Sequence, residues 1–285
     1  VDLLKIWTRA PRLEAWGDFV EKYKSPKHEV NIAIVGKYVD LTESYKSLNE
    51  ALYHGGVANN CRSNLLFVDS ETIDPDSCSG ILSEADGILV PGGFGSRGIE
   101  GKICAARYAR ENNIPYFGIC LGLHIAVIEF ARHILGMEGA NSEEFDKTTP
   151  YPVIYLMLEW YDEKTDTVQK RDETSAKGGT MRLGAYSCNL KEGSLAYEAY
   201  KTQEISERHR HRYEFNNKFK DQFIEKGMKV SGISPSGELV EIIELENHPW
   251  FLGCQFHPEL KSRPMDPHQL FREFIKASLK NRQAN

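Results

Sequence analysis

"IPYFGICLGLHIAVIEFARHIL", residues 114–135, decides the fold. The apolar run over 114–119 predicts a buried strand, and 121–135 predicts a helix. A single thiol, Cys120, stands at the join, with Gly118 and Gly122 on either side. A strand that turns at one reactive residue into a helix is the plan of a nucleophile elbow. The free N–H groups of the helix start favour a thiolate, and the Leu121 amide is placed to donate to an oxyanion. The same residue also fits a small buried hydrophobe, the commoner fate of a lone cysteine.

Working outward, strands and helices alternate. "VNIAIVGKY" (30–38), "NLLFVDS" (64–70) and "ADGILVPGGFG" (85–95) read as strands, with helices over 44–59 and 99–113. This alternation predicts an α/β fold, a doubly wound and mostly parallel central sheet with helices on both faces. Ligands in such sheets sit beyond the carboxyl ends of the strands. "PGGFG" (91–95) and "GICLG" (118–122) both fall there, so both can face one crevice. Farther along, strands are expected over 153–158, 181–188, 228–245 (two, around "SPSG") and 251–256, with a hairpin and loop over 159–180. These predict a smaller antiparallel β element, closed by a helix over 267–280. Ahead of the core, Leu13, Trp16, Phe19, Val20 and Tyr23 follow Pro11 at near-helical spacing. That helix packs either on the main domain or on a missing neighbour.

The totals narrow the function classes. The chain has 285 residues, a net charge of -6 and ordinary globular composition. The acidic balance argues against nucleic-acid binding, and no apolar run reaches the ~20 residues of a membrane span. The six cysteines show no zinc spacing, so no metal is expected, and free thiols in a reducing cytoplasm are the default. The chain starts at Val1 without a secretory signal, which suggests an excised or processed piece.

A thiol nucleophile needs a base, and the base needs an orienting group. "QFHPEL" (255–260) offers His257 at a strand end and Glu259 two residues on. Alone, such a pair also fits a surface histidine and a solvated carboxylate. Gly92 and Gly93 let the main chain come close to a ligand and complete an oxyanion hole, or they simply form a turn. The glycine spacing is not GxGxxG, and there is no GxxxxGK[ST] loop. The basic run "RHRHR" (208–212) also fits a solvated face, and chemistry alone assigns Arg182 in "GGTMRLG" no role.

In their order and spacing, "PGGFG", "GICLG" and "FHPE" resemble the class I glutamine amidotransferases with a Cys-His-Glu triad. "GKYVDLTESYKSLNEAL", "GGTMRLGA", "RHRHRYEFN" and "NHPWFLGCQFHPE" are similar to those members whose glutaminase domain feeds a pyrimidine-nucleotide amidoligase. The likeness runs from about residue 28 to about 280. It implies catalytic Cys120, His257 and Glu259, and an oxyanion hole at Gly92, Gly93 and Leu121. It implies glutamine contacts at Gly93, Phe94, Leu121, Gly122, Leu123, His124, Glu144 and Arg212. Of these, Glu144 would take the α-ammonium and Arg212 the α-carboxylate, a pairing that suits their charges. The resemblance further implies that 28–285 is the amidotransferase domain and 1–27 a linker toward an amidoligase domain absent from the chain. No cofactor belongs to this domain. ATP, Mg and UTP would serve the absent domain, GTP would activate, and the full-length protein would be a homotetramer.

The chain departs from the family at His124, where a glutamine is usual. One helical turn past Cys120, His124 is expected to face the same site and to titrate near neutral pH. Two other readings use the same residues. Another cysteine hydrolase on a similar sheet would not need Glu144 and Arg212 together, and His124 leaves room for a misaligned triad in an interaction domain.

Overall fold

The computed structural model describes residues 13–37, 42–157, 159–162, 167–170 and 181–284. The first half alternates as expected: α1 (Glu14–Lys24), β1 (His28–Gly36), α2 (Lys46–Ala58), β2 (Cys61–Asp69), α3 (Cys78–Leu82), β3 (Gly87–Val90), α4 (Ile99–Glu111), β4 (Tyr116–Ile119) and α5 (Leu121–His133). There follow β5 (Asn141–Ser142), β6 (Pro152–Leu156), β7 (Glu159–Asp162), β8 (Thr167–Lys170), β9 (Arg182–Leu190), α6 (Leu195–Tyr200), β10 (Glu204–His211) and β11 (Tyr213–Phe215). The chain closes with α7 (Lys220–Glu225), β12 (Met228–Ile233), β13 (Val240–Leu245), β14 (Phe251–Cys254) and α8 (Gln269–Ala284).

Among the described residues, nine strands share one sheet in the order β10-β9-β12-β13-β14-β4-β3-β1-β2. From β2 to β14 neighbours run parallel; from β14 to β10 they run antiparallel. The antiparallel strands therefore mainly continue the central sheet. A separate three-stranded sheet, β11-β6-β5, and the β7–β8 hairpin stand beside it.

Alternation along β1 shows how the layers form. Val30, Ile32 and Ile34 join one core with Leu52 of α2 and Phe271 and Phe274 of α8. Ala33 and Val35 join the other with Ile103 of α4 and Ile125 of α5. Side chains of period two thus feed two helical layers, which is why the parallel strands are apolar throughout. Helix α5 is buried from Leu121 to Ala131 because the sheet and neighbouring elements enclose it. Its close seat explains the flanking glycines. A Cβ on Gly122 would lie 2.2 Å from the Val90 carbonyl oxygen, and one on Gly118 2.5 Å from the Gly122 backbone.

Helix α1 forms where the spacing of the apolar residues predicted it. It touches α2 through ring contacts, Phe19 with His54 and Tyr23 with Tyr53, while Leu13, Trp16, Val20 and Tyr23 stay exposed. Pro11 and the rest of 1–12, and most of the loop expected within 159–180, lie outside the described residues.

Candidate active site

The elbow is strained at the cysteine itself. Cys120 adopts φ 52° and ψ -97°, a left-handed backbone rare for a residue with a Cβ. Its amide donates to the Cys254 carbonyl at 2.7 Å, tying the end of β4 to the end of β14. The thiol is buried, only 3% exposed, so burial and a place in the site are here the same fact.

The parallel register of β4 and β14 brings His257 to the elbow, because both chains leave the sheet at one edge. The His257 amide donates to the Arg208 carbonyl at 2.7 Å, which anchors the loop on β10. His257 Nδ1 and Glu259 Oε1 are 2.7 Å apart. Burial alone would lower the imidazole pKa. The Cys120 sulfur, through charge and hydrogen bonding, and then Glu259 outweigh it and push the pKa up to about 11. A sulfur on one side and a carboxylate on the other thus hold the imidazole in its protonated form.

Gly92 lies between the two partners. A Cβ there would meet His257 Cε1 at 2.7 Å and Cys120 Cβ at 3.6 Å. Gly93 borders Leu121, whose Cδ2 would stand 3.2 Å from an added Cβ. The two glycine-rich breaks thus do meet at one place, beside the N-terminus of α5.

Glu144 joins them from the turn after β5. Its Oε1 accepts from the Gly95 amide at 2.8 Å. Burial raises its pKa, against the Gly95 hydrogen bond and the charges of Lys37 and Arg212. Lys37 secures the same loop by donating to the carbonyls of Phe94 and Gly95. Phe94 is 55% exposed at the mouth. Arg212 sits between β10 and β11, and its buried Nε has no hydrogen-bond partner among the described residues. A partly buried carboxylate and a cation with a vacant donor thus lie within electrostatic reach of each other by the Gly95 turn.

The run "RHRHR" is a solvated basic face on one side only. On β10, His209 and His211 point inward while Arg208 and Arg210 point out. The buried histidines are linked, His209 Nδ1 to His211 Nε2, at 2.9 Å. Beside them Arg182 donates to Glu241 at 2.8 Å and to Glu214 at 3.3 Å, and its guanidinium lies 4.5 Å from the Tyr186 ring centroid. Arg182 thus has a place, as the cation that neutralises two buried carboxylates behind the site.

Three expectations need correction. His124 does not titrate near neutrality. It is buried, and that burial pushes its pKa down to about 4 despite the contact with Gln255, so it adds no charge to the site. Nor does its side chain open onto the crevice: Nε2 meets Gln255 Oε1 at 2.9 Å. Leu123, expected at the substrate, sends its side chain into the core against β14. Sequence reading missed Gln255, whose Nε2 lies 3.9 Å from Cys120 Sγ. Its one signal was position, two residues before His257 at the same strand end.

Among the described residues no group of three or more His, Cys, Asp or Glu side chains is arranged to hold a metal, and no helix is long and apolar enough to cross a membrane.

A thiol on a strained turn, a histidine held by a glutamate and a glycine-lined approach agree with what comparison shows. The chain belongs to the class I glutamine amidotransferases, whose description "Glutamine amidotransferase class-I" matches residues 40–277. Within that class its relatives are CTP synthases. It is 58% identical over 282 residues to the CTP synthase of Desulfotalea psychrophila, covering 99% of this chain and 51% of the relative. With that of Desulfovibrio desulfuricans it is 60% identical over 279 residues, covering 98% and 51%. The chain spans about half the length of these curated relatives. A solved structure, described as the Trypanosoma brucei CTPS glutaminase domain with bound acivicin, is similar with a TM-score of 0.79 at 38% identity. The match covers 88% of this chain and 94% of that one.

Proposed function

We propose that the chain hydrolyses L-glutamine to L-glutamate and ammonia through a thioester on Cys120. What supports this is the meeting of Cys120, His257 and Glu259 at the elbow, with Glu144 bonded to the nearby Gly95 amide and in the field of Arg212, groups suited to both ends of free glutamine. The Cys120 thiolate attacks the side-chain carbonyl carbon. The amides of Leu121 and of Gly92 or Gly93 hold the resulting oxyanion. His257 gives its proton to the leaving nitrogen, which departs as ammonia as the C–N bond breaks. Water then attacks the thioester, His257 takes its proton, and glutamate leaves with the thiolate restored. Glu259 keeps the imidazole oriented throughout. Glu144 takes the α-ammonium, Arg212 the α-carboxylate, and Phe94 lies along the substrate.

The ammonia serves a second domain that aminates UTP to CTP with ATP and Mg, GTP acting as activator, in a homo-oligomer. The support is the CTP synthase relatives, of which this chain matches half. Residues 1–27 would join the two domains.

The test is intact-mass labelling with a glutamine-mimicking electrophile, with and without excess glutamine, in wild type and Cys120→Ala. One glutamine-protected adduct, absent from the variant, is expected. An adduct on another cysteine, or none, overturns the proposal.

A further inference from the structure

The strand-end glutamine and the histidine one turn into α5 form a buried chain that ends on the reactive sulfur. His124 Nε2 is 2.9 Å from Gln255 Oε1, and Gln255 Nε2 is 3.9 Å from Cys120 Sγ. All three side chains are buried. We propose that Gln255 donates an N–H to the Cys120 thiolate, and that His124 is a positioning residue that fixes the Gln255 carboxamide in the donating orientation. The inference rests on Cys120 being the nucleophile.

Chemistry selects the orientation of the amide. A thiolate accepts hydrogen bonds and cannot donate, so the NH2 end must face sulfur. The oxygen end then faces His124 and needs a donor. A neutral imidazole carrying its proton on Nε2 supplies it, and the burial of His124 keeps the ring neutral. A flipped amide would aim a carbonyl oxygen at the thiolate, so the histidine guards against an arrangement that repels the reactive form.

Gln255 is itself held by its backbone, whose amide donates to the Glu241 carbonyl at 2.8 Å. Only the side-chain torsions remain to be set, and His124 sets them from the other side of the strand end. The other titratable groups facing this chain are His257 with Glu259, on the loop after β14, His211 at the end of β10, and Cys254 at the end of β14, whose thiol is kept protonated by burial. His211 is kept neutral by burial. His257 is coupled to the same sulfur by charge, so the amide is a second polar influence on that atom.

The departure from the family's glutamine at 124 thereby acquires a function. A short donor rooted on α5 is directed at a neighbouring strand end, away from the crevice. Catalysis would feel it through the state of the thiol, with little change in the hold on glutamine.

The test follows the pH dependence of Cys120 alkylation by iodoacetamide, read by intact mass, in this chain and its variants. Gln255→Leu removes the donor, and the alkylation midpoint should rise by about one pH unit, the usual worth of a hydrogen bond to a charged group. His124→Phe should raise it similarly, and His124→Gln, which keeps an N–H donor, should restore most of it. The double variant His124→Phe/Gln255→Leu should go no further than Gln255→Leu alone, because the two act through one contact. In glutamine hydrolysis kcat should fall roughly tenfold below the midpoint with KM little changed. If His124→Phe does not fold, Gln255→Met makes the same test without touching α5. A folded Gln255 variant with the wild-type midpoint overturns the proposal, and so does a shift in Gln255→Leu that His124→Phe does not share. Failure of excess glutamine to protect the wild-type thiol from alkylation would instead overturn the nucleophile itself.

Discussion

At the scale of single residues, the site is a balance of burial against charge. Desolvation of His257 opposes its charge, yet Cys120 and Glu259 hold its proton. The sign is that of a raised pKa: the stabilisation is full below the ordinary value of 6.5 and is lost as pH rises toward about 11. Cys120→Ala removes the largest raising influence. By NMR of the imidazole, His257 should stay protonated beyond about pH 8 in the wild type and release its proton at lower pH in the variant. An unchanged titration would show that the thiol does not hold the proton. His124 behaves oppositely. Its pKa falls from 6.5 to about 4, so as pH drops through that window the unfolded chain takes up a proton that the folded chain refuses. Stability should therefore decline, and His124→Gln should remove up to about 3 kcal/mol of that decline in urea titrations. An equal slope in both proteins would mean that the ring is hydrated after all.

At the scale of elements, legibility followed the physics of each segment. The strands of the parallel half are nearly continuous apolar runs because helices cover both faces, so β1, β3 and β4 were readable. The elbow was readable because glycine, cysteine and a new helix coincide. Strand β10 was not, since three inward residues, Glu207, His209 and His211, are polar, which erases the apolar–polar alternation, and Glu207 finds its partner in His268, 61 residues away. Gln255 escaped for the same reason: its partner His124 is 131 residues away in the chain. The glycines at the elbow yield a sharper prediction. Gly122→Ala drives a methyl into the Val90 carbonyl, 2.2 Å away. It should cost at least about 2 kcal/mol in chemical unfolding and displace Cys120, lowering activity as well. A stable, active Gly122→Ala protein would show that α5 moves freely on the sheet.

At the scale of the molecule, the order of nine strands was beyond sequence reading, because pairing partners are set by contacts far apart in the chain. That order matters to the site. Cys120 belongs to the parallel half, while Arg212 follows a strand of the antiparallel half, so a glutamine bound as proposed would span both. In the Cys120→Ala background, which binds without turnover, glutamine at a hundredfold excess over Kd should add about 2.7 kcal/mol and raise the unfolding midpoint by several degrees. Arg212→Met should abolish that rise while leaving the ligand-free midpoint nearly in place. A rise that survives the substitution would remove Arg212 from the substrate.

The left-handed backbone at Cys120 also bears on inheritance. A residue with a Cβ is strained there by an amount of order 1–3 kcal/mol, and glycine is not. Cys120→Gly should thus be more stable than Cys120→Ala, with both unable to form a thioester; equal midpoints would show that the turn is relaxed. In a lineage that no longer needed the thiol, drift at this position would lean toward glycine, and the protein would grow sturdier as it fell silent. The cysteine is kept at a place where the fold alone would choose something else.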